Sequence, residues 1–354
     1  MHPIETLQQT LGTGEGFLVT SFANRRYLTG FPSSAGMVLV TEQASYFLTD
    51  FRYFEKACDV VKSCKVILLT SLAKDLLPLL KKQGVDTLFV ETDTVSLATF
   101  DRWCQLFEGV ALQQDGKMTN LLAALRSVKS AEEIQHIQAA QALTDETFAY
   151  ILPRIAAGRS EIDVMLDMEF FMRRQGSEGV AFDFVVVSGQ NSSLPHGVPT
   201  HKLIQKGDFV TMDFGAVVNG YRSDMTRTVG VGFLTDQQKQ VYNTVLDAKT
   251  IAMAAIRSGV MCKDIDKIAR NHIDQAGYAG CFGHGLGHSV GIEIHEGPSF
   301  NTRCETLLQP GMVITVEPGI YLEGKYGVRI EDMIAVTETG CENLTHSPDE
   351  LIIV

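Results

Sequence analysis

The chain has 354 residues, which at about 100–200 residues per domain predicts two domains. Hydrophobic residues make up 45% and charged residues 20% of the sequence, a globular composition that excludes a disordered chain and a fibre. Acidic residues outnumber basic residues by 42 to 30, which gives a net charge of −12. This charge disfavours nucleic acids and anionic membranes as partners.

Cysteine usage and the first residues indicate where the protein works. The seven cysteines are odd in number, and no two of them have the C-x-x-C spacing of a thiolate metal site or redox motif. The chain begins without the basic and apolar segments of a secretion signal. No apolar run reaches the roughly 18 residues of a membrane span. We therefore expect free thiols in a cytoplasmic protein that does not enter a membrane.

The first third of the chain alternates short apolar runs with helical patterns. This alternation is typical of an α/β domain, which we expect over residues 1–125. The predicted strands cover residues 16–20, 37–40, 46–48, 65–69 and 87–90. The predicted helices cover residues 51–62, 71–83 and 96–107.

A second domain, of the α+β class, is expected over residues 126–354. Ser130 and Glu133 have the spacing of a capping box, which marks the start of a helix. Apolar residues then recur at helical spacing as far as Gly158, where we expect the helix to end. Further helices are predicted at 160–174, 235–257 and 262–276, and strands at 183–188, 208–216, 312–317 and 328–337.

Two aspartates lie on a predicted hairpin whose register can be worked out. The Asn-Gly pair at 219–220 is a strong signal for a two-residue turn, and such a turn pairs Asp213 with Thr226. Asp224 then becomes a diagonal neighbour of Asp213, about 7–8 Å away on the same face, and Gly215 leaves space beside them. Converging carboxylates need a cation between them or a raised pKa. Solvation of both on an exposed face is the alternative.

Histidines cluster in the glycine-rich segment 283–298, which contains His284, His288 and His295 of the nine in the chain. The glycines allow a tight backbone that brings imidazoles together, although capping or surface histidines are the alternative. A further histidine, His196, lies in a turn-rich loop after a predicted strand. Such loops often carry functional residues, but an exposed loop histidine is equally compatible with this pattern.

Two glutamates lie on a predicted hairpin that turns around residues 322–327. Glu317 ends an apolar strand, and Glu331 lies in the next strand beside Arg329. A structural ion pair with Arg329 is the alternative to a functional role. We expect Asp332 to be a solvated neighbour of Glu331.

These segments together offer two aspartates, two glutamates and at least one histidine. Carboxylates with an imidazole suit Mn²⁺, Co²⁺ or Zn²⁺. Two such ions about 3.5–4 Å apart can hold a hydroxide between them and polarise a carbonyl. The residues alone therefore predict a dinuclear metal-dependent hydrolase.

The motifs that carry these residues resemble those of the pita-bread metallopeptidases, in the group of Xaa-Pro aminopeptidases and Xaa-Pro dipeptidases (prolidases). The most specific motifs lie at residues 212–215, 223–228, 284–296, 316–321 and 328–332. Residues 27–31 and 49–53 are similar to the creatinase-like accessory domain of that group. The resemblance covers nearly the whole chain. It implies an α/β N-terminal accessory domain and an α+β pita-bread catalytic domain.

The resemblance also implies five metal ligands. Asp213 would bind one metal, Asp224 and Glu331 would bridge both, and His288 and Glu317 would complete the other. The remaining implied site residues are three substrate-handling histidines and three supporting side chains, namely His196, His284, His295, Thr226, Arg329 and Tyr321.

The implied reaction is hydrolysis of the peptide bond that precedes proline, by a hydroxide bridging two divalent metal ions. Mn²⁺ is the favoured metal, with Co²⁺ or Zn²⁺ as alternatives. His295 would help to stabilise the oxyanion, and Glu317 would carry a proton to the leaving nitrogen. The substrate would be a proline-containing peptide or dipeptide, and the protein would be a homodimer.

Two other functions stay open at this stage. An aminopeptidase of different specificity, such as one that removes N-terminal methionine, would use the same ligands, but the N-terminal domain argues against it. A non-enzymatic binding module on the same fold is the second alternative, because fold does not determine function. The intact set of ligand residues argues against that reading.

Overall fold

The computed structural model describes residues 2–354 and divides into two compact units between Arg126 and Ser127. Each unit is built around its own buried apolar residues. Among the described residues, no helix combines the length and the apolar character needed to cross a membrane. All seven cysteines carry free thiols.

The described residues of the first unit form six α-helices, a short π-helix at Leu72–Leu76 and one six-stranded sheet. The helices are α1 (Pro3–Gln9), α2 (Phe22–Thr29), α3 (Phe51–Val60), α4 (Leu77–Lys82), α5 (Leu97–Leu106) and α6 (Lys117–Ser127). The strands are β1 (Glu15–Val19), β2 (Met37–Thr41), β3 (Ser45–Thr49), β4 (Lys65–Leu68), β5 (Thr87–Val90) and β6 (Ala111–Gln113). The strand order is β4-β3-β2-β1-β5-β6, and both parallel and antiparallel pairs occur. The predicted strands of this unit are all present, while β6 was not predicted.

Side-chain alternation explains why both faces of this sheet are covered. Phe17 and Val19 of β1 belong to one apolar core, and Leu18 belongs to another. Successive residues of a strand point to opposite faces. A strand that is apolar at every position therefore needs cover on both sides, as in α/β proteins.

The second unit contains four long helices and twelve short strands. The helices are α7 (Ala131–Ile151), α8 (Glu161–Arg174), α9 (Asp236–Ala255) and α10 (Cys262–Ile273). The strands are β7 (Val185–Ser188), β8 (Phe209–Phe214), β9 (Val217–Val218), β10 (Tyr221–Arg222), β11 (Met225–Gly230), β12 (Gly287–Ser289), β13 (Glu296–Phe300), β14 (Val313–Val316), β15 (Gly319–Leu322), β16 (Tyr326–Arg329), β17 (Asp332–Val336) and β18 (Cys341–Asn343). The two larger sheets have the orders β11-β8-β7 and β13-β12-β14-β17-β18.

The first helix of this unit begins as predicted and ends earlier. The Ser130 hydroxyl accepts a hydrogen bond from the backbone N–H of Glu133, and the Glu133 carboxylate accepts one from the backbone of Ser130. The helix ends at Ile151 and a 3₁₀ turn follows over Leu152–Arg154. Pro153 has no N–H to continue the α-helical ladder, so the prediction of a helix as far as Gly158 is wrong.

The hairpin at 219–220 has the predicted register, with Asp213 facing Thr226 and Val217 facing Arg222. Pairing is interrupted at residues 215–216 and 223–224, so β8 pairs with β11 while β9 pairs with β10. A Cβ atom on Gly215 would collide with the carbonyl oxygen of Ser223. Glycine is thus required for the close approach of two backbones, and the expectation that it leaves space for a ligand is wrong.

The predicted hairpin between the two glutamates is also present and also interrupted. Val316 of β14 faces Asp332 of β17, and Gly319 of β15 faces Arg329 of β16, in one continuous register. The interruption falls at residues 317–318 and 330–331. Asp224, Glu317 and Glu331 therefore lie at interruptions of the regular ladders, whereas Asp213 lies in the paired part of β8.

Candidate metal centre

The two hairpins bring four carboxylates to one cavity. The cavity has a volume of about 490 Å³ and is lined by Asp213, Asp224, Glu317 and Glu331. Asp224 is 4% exposed and Glu331 is 1% exposed. Carboxylates buried this deeply need a compensating positive charge or a proton.

Their pKa values reflect that burial. Burial, and then the charges of Glu331 and Asp213, raise the pKa of Asp224 well above its usual range. Burial, and then Glu317 and Asp213, do the same to the pKa of Glu331. Burial also raises the pKa of Glu317 to about 8. In the absence of a cation, the cavity thus favours the protonated forms of Asp224, Glu317 and Glu331.

His288 of β12 lies beside these carboxylates. Its Nε2 atom lies 3.5 Å from Asp224 Oδ2 and 3.5 Å from Glu317 Oε1. Its Nδ1 atom lies 3.2 Å from the carbonyl oxygen of Ser289. Because a carbonyl can only accept, Nδ1 carries the hydrogen and the Nε2 lone pair faces the carboxylates. Burial, and then His295, lower the pKa of His288 to about 4, which keeps the ring neutral as a metal ligand must be.

These donors fit divalent metal ions. Ligand atoms of Asp224, His288 and Glu331 all lie within 4.8 Å of one another. Asp213 Oδ1 is buried and has no hydrogen-bond partner among the described residues. The Nε2 lone pair of His288 faces acidic oxygens, and one carboxylate oxygen of Asp213 is unsatisfied. A shared cation would stabilise this arrangement.

Arg329 orients two of these carboxylates, one directly and one through Thr226. Its Nη2 atom donates to Asp213 Oδ2 at 2.5 Å and its Nε atom donates to Thr226 Oγ1 at 2.9 Å. The Thr226 hydroxyl in turn donates to Glu331 Oε2 at 2.7 Å. One buried guanidinium therefore orients a carboxylate from each hairpin, as the supporting shell of a metal site does.

Tyr321 and His284 extend the hydrogen-bond network of Arg329. Arg329 Nη1 donates to the Tyr321 hydroxyl at 2.9 Å, and that hydroxyl lies 2.9 Å from His284 Nε2. His284 Nδ1 lies 2.8 Å from the carbonyl oxygen of Gly285. His284 therefore has Nδ1–H and accepts the Tyr321 proton at Nε2. Both ring nitrogens are engaged, and His284 contributes a wall of the cavity with no ring nitrogen left for a substrate.

The other two candidate histidines also line the cavity. His196 lies in the loop after β7, and His295 lies at the start of β13, with its ring centroid 4.4 Å from that of His288. The cavity thus collects nine of the eleven residues selected from the sequence, while Thr226 and Tyr321 lie behind its wall.

The expectation for Asp332 is wrong, because this residue is 1% exposed. Its carboxylate accepts from Arg227 Nη2 at 2.7 Å and contacts the ammonium group of Lys249. Lys249 also pairs with Asp349 at 2.7 Å. Burial alone would raise the pKa of Asp332, yet the two cations hold it below its usual value. Asp332 therefore belongs to a buried ion network adjacent to Glu331.

Glu161 is a supporting residue that the sequence analysis missed. It is fully buried and accepts hydrogen bonds from Ser188, Asn191 and Thr200. These residues flank the loop that carries His196, so Glu161 holds both ends of that loop. Its place after a Ser N-cap is typical of an ordinary helix start, and no sequence signal distinguishes the two roles.

The sequence also matches known families over both units. Residues 135–338 match the model of metallopeptidase family M24, and residues 5–128 match the creatinase/prolidase N-terminal domain. The first match spans more than half of the chain. The protein belongs to metallopeptidase family M24. This assignment confirms the expected creatinase-like α/β domain and pita-bread catalytic domain, and it confirms an enzyme of the metallopeptidase class.

Relatives of this M24 peptidase cover it almost completely. An uncharacterized peptidase of Bacillus subtilis is 42% identical over 341 residues, which is 96% of each chain. The structure of an Xaa-Pro dipeptidase from Bacillus anthracis has a TM-score of 0.93 and 39% identity, covering 99% of this chain and 98% of that one. The structure of an X-Pro aminopeptidase from Thermotoga maritima has a TM-score of 0.91 and 34% identity, covering 98% and 100%.

The pKa shifts predict how pH affects the metal-free M24 peptidase. The folded protein retains protons on Asp224, Glu317 and Glu331 that the unfolded chain has already released, so folding stability falls as pH rises. The lowered histidine pKa values oppose this trend only below about 6.5, the usual pKa of histidine. We therefore expect the Tm of chelator-treated protein to fall between pH 6.5 and pH 8.

Differential scanning calorimetry at several pH values, with and without Mn²⁺, would measure this slope. Bound metal should raise Tm and flatten the slope, because it replaces the protons. A metal-free Tm that rises over this interval, or an identical slope in both samples, would contradict the prediction.

Proposed function

We propose that this M24 peptidase hydrolyses the peptide bond that precedes proline, using two divalent metal ions. The observation that carries the proposal is the convergence of Asp224, His288 and Glu331, whose ligand atoms lie within 4.8 Å of one another. Asp213 and Glu317 line the same cavity. The printed names of the relatives from Bacillus anthracis and Thermotoga maritima support Xaa-Pro peptides as substrates.

The five residues divide between the two ions in the proposed site. Asp213 would bind one ion, Asp224 and Glu331 would be shared by both, and His288 and Glu317 would bind the other. Divalent ions held there would supply Lewis-acid polarisation of the scissile carbonyl and activation of water. Mn²⁺ is our first choice, and Co²⁺ or Zn²⁺ would suit the same donors.

The chain's own side chains account for proton handling and orientation. Glu317 lines the same cavity, and in the proposed mechanism its carboxylate would carry a proton to the leaving nitrogen. His295 lies beside His288 and can donate an N–H to the developing oxyanion. His196 faces the same cavity and can donate to a peptide carbonyl. Arg329 holds the Asp213 carboxylate in place by direct hydrogen bonding.

The proposal also covers the oligomeric state and the cellular location of the protein. We expect a homodimer, on the strength of the resemblance to the Xaa-Pro peptidases. The free thiols are in keeping with a reducing cytoplasm.

The test is reconstitution of the stripped protein with Mn²⁺, Co²⁺ or Zn²⁺, followed by assay on Ala-Pro-Ala, Ala-Pro and Ala-Ala-Ala. We expect metal-dependent cleavage of the proline substrates and a kcat/KM at least about a hundredfold lower for Ala-Ala-Ala. Equal cleavage of Ala-Ala-Ala would indicate an aminopeptidase of other specificity. Absence of cleavage with every metal would refute the proposed activity.

A further inference from the structure

We propose that the cavity selects peptides that continue beyond proline over free Xaa-Pro dipeptides, and that Asp183 is a specificity-determining residue for this choice. The inference rests on the proposed function. A dipeptide brings the carboxylate of its proline into the cavity next to the scissile bond, whereas a longer peptide has a neutral amide there. A desolvated carboxylate needs a cation or several N–H donors.

The arginine that lines the cavity already uses most of its N–H donors within the protein. Among the described residues that line it, Arg329 is the one arginine, and there is no lysine. Its guanidinium has five N–H donors. Four hydrogen bonds go to Thr226, Asp213, Tyr321 and the carbonyl of Pro195. Arg329 is also 4% exposed. It is therefore not available as the counter-ion of a substrate carboxylate.

The histidines offer only single donors. Both ring nitrogens of His284 are engaged within the protein, and His288 directs Nε2 at the carboxylates of the site. His196 and His295 line the cavity, and neither has a side-chain hydrogen bond to another described residue. The two nitrogens of an imidazole ring point in different directions, so each ring can present one N–H to a given substrate group, which matches one peptide carbonyl. A carboxylate is matched by the two-pronged geometry of a guanidinium.

Asp183 adds a negative charge to the same cavity. It lies two residues before the start of β7 and lines the cavity together with Val185 of that strand. Its side chain is exposed, and no described residue forms an ion pair with it. Asp183 is separate from the five proposed ligands, so bound metal would not neutralise it. A carboxylate there repels the carboxylate of a dipeptide and leaves a neutral amide unaffected.

The test compares three substrates with the same scissile bond on the metal-loaded enzyme: Ala-Pro, Ala-Pro amide and Ala-Pro-Ala. The amide removes the charge with almost no change in size. We expect kcat/KM for Ala-Pro to be at least about tenfold below that for the other two, mainly through a higher KM, because its charge stays unpaired.

Two variants at one position test Asp183 directly. Asp183→Asn should raise kcat/KM for Ala-Pro by about threefold and Asp183→Arg by about tenfold or more, with little change for the amide. Asp236→Arg, on the exposed first turn of α9 and outside the cavity, is the control for net charge. It should leave the ratio between the two substrates unchanged.

The results of these assays distinguish a failure of the inference from a failure of the proposed function. If Ala-Pro is cleaved as well as its amide, or better, the selectivity is overturned while the proposed function stands. If both Asp183 variants change the two substrates equally, the role of Asp183 is overturned. If none of the three substrates is cleaved with any metal, the proposed function fails and the inference fails with it.

Discussion

Asp224→Asn should lower kcat/KM on a proline peptide by about a thousandfold or more, while the metal-free protein becomes more stable. Loss of a shared ligand removes several kcal/mol of charge stabilisation from the transition state. The metal-free protein gains stability because burial and the neighbouring carboxylates make ionisation of Asp224 costly. An amide of the same size can be buried without taking up a proton on folding.

Activity assays with excess Mn²⁺ and Tm measurements after treatment with a chelator would test both halves of this prediction. The control is Asp236→Asn, which changes the same chemical group at an exposed position outside the cavity. It should preserve activity and shift Tm little. A large fall in the metal-free Tm of Asp224→Asn would mean that Asp224 is needed for folding, contrary to the proposal.

Asp332→Asn should destabilise the protein by about 3–5 kcal/mol, the usual cost of breaking a buried ion pair by removing one partner. The side chains of Asp332 and Arg227 are each 2% exposed, and that of Lys249 is 1% exposed. The substitution leaves two buried cations with less compensating charge. The backbone carbonyls of Ser347 and Pro348 would still accept from Arg227, but a carbonyl carries no full charge.

Urea denaturation near neutral pH would measure this loss of free energy of unfolding. Asp349→Asn is a matched control, because it alters another partner of Lys249 whose side chain is 41% exposed. We expect it to cost less than about 1 kcal/mol. Equal losses from the two variants would show that burial does not determine the strength of this network.

Local turn chemistry explains why the sequence was sufficient to predict the first hairpin. A two-residue Asn-Gly turn determines the register of the strands it joins, and Asn219 and Gly220 both have the positive φ angles that such a turn requires, 50° and 78°. The relation between Asp213 and Asp224 followed from that register. The interruption of the strands at Gly215 did not, because it depends on a close contact with the backbone of Ser223.

The environment of Asp332 could not be predicted from its neighbours in the chain. Arg227 is 105 residues away in sequence and Lys249 is 83 residues away. A sequence pattern indicates which positions of one element are buried. It does not indicate which distant charged residue will pack against them. The same holds for His284, whose Nε2 partner is the hydroxyl of Tyr321 on a different strand.

The long sequence separation between the two hairpins has a consequence for the order in which the site forms during synthesis. Each hairpin closes through nearby residues, but the hydrogen bonds that join them, Thr226 to Glu331 and Arg329 to Asp213, span 105 and 116 residues. Contacts of such separation form late, because the intervening chain must first be ordered. A nascent chain that ends before Glu331 would carry Asp213 and Asp224 without their partners from the second hairpin. Tight capture of metal should therefore begin only after the second hairpin has been synthesised and has packed against the first.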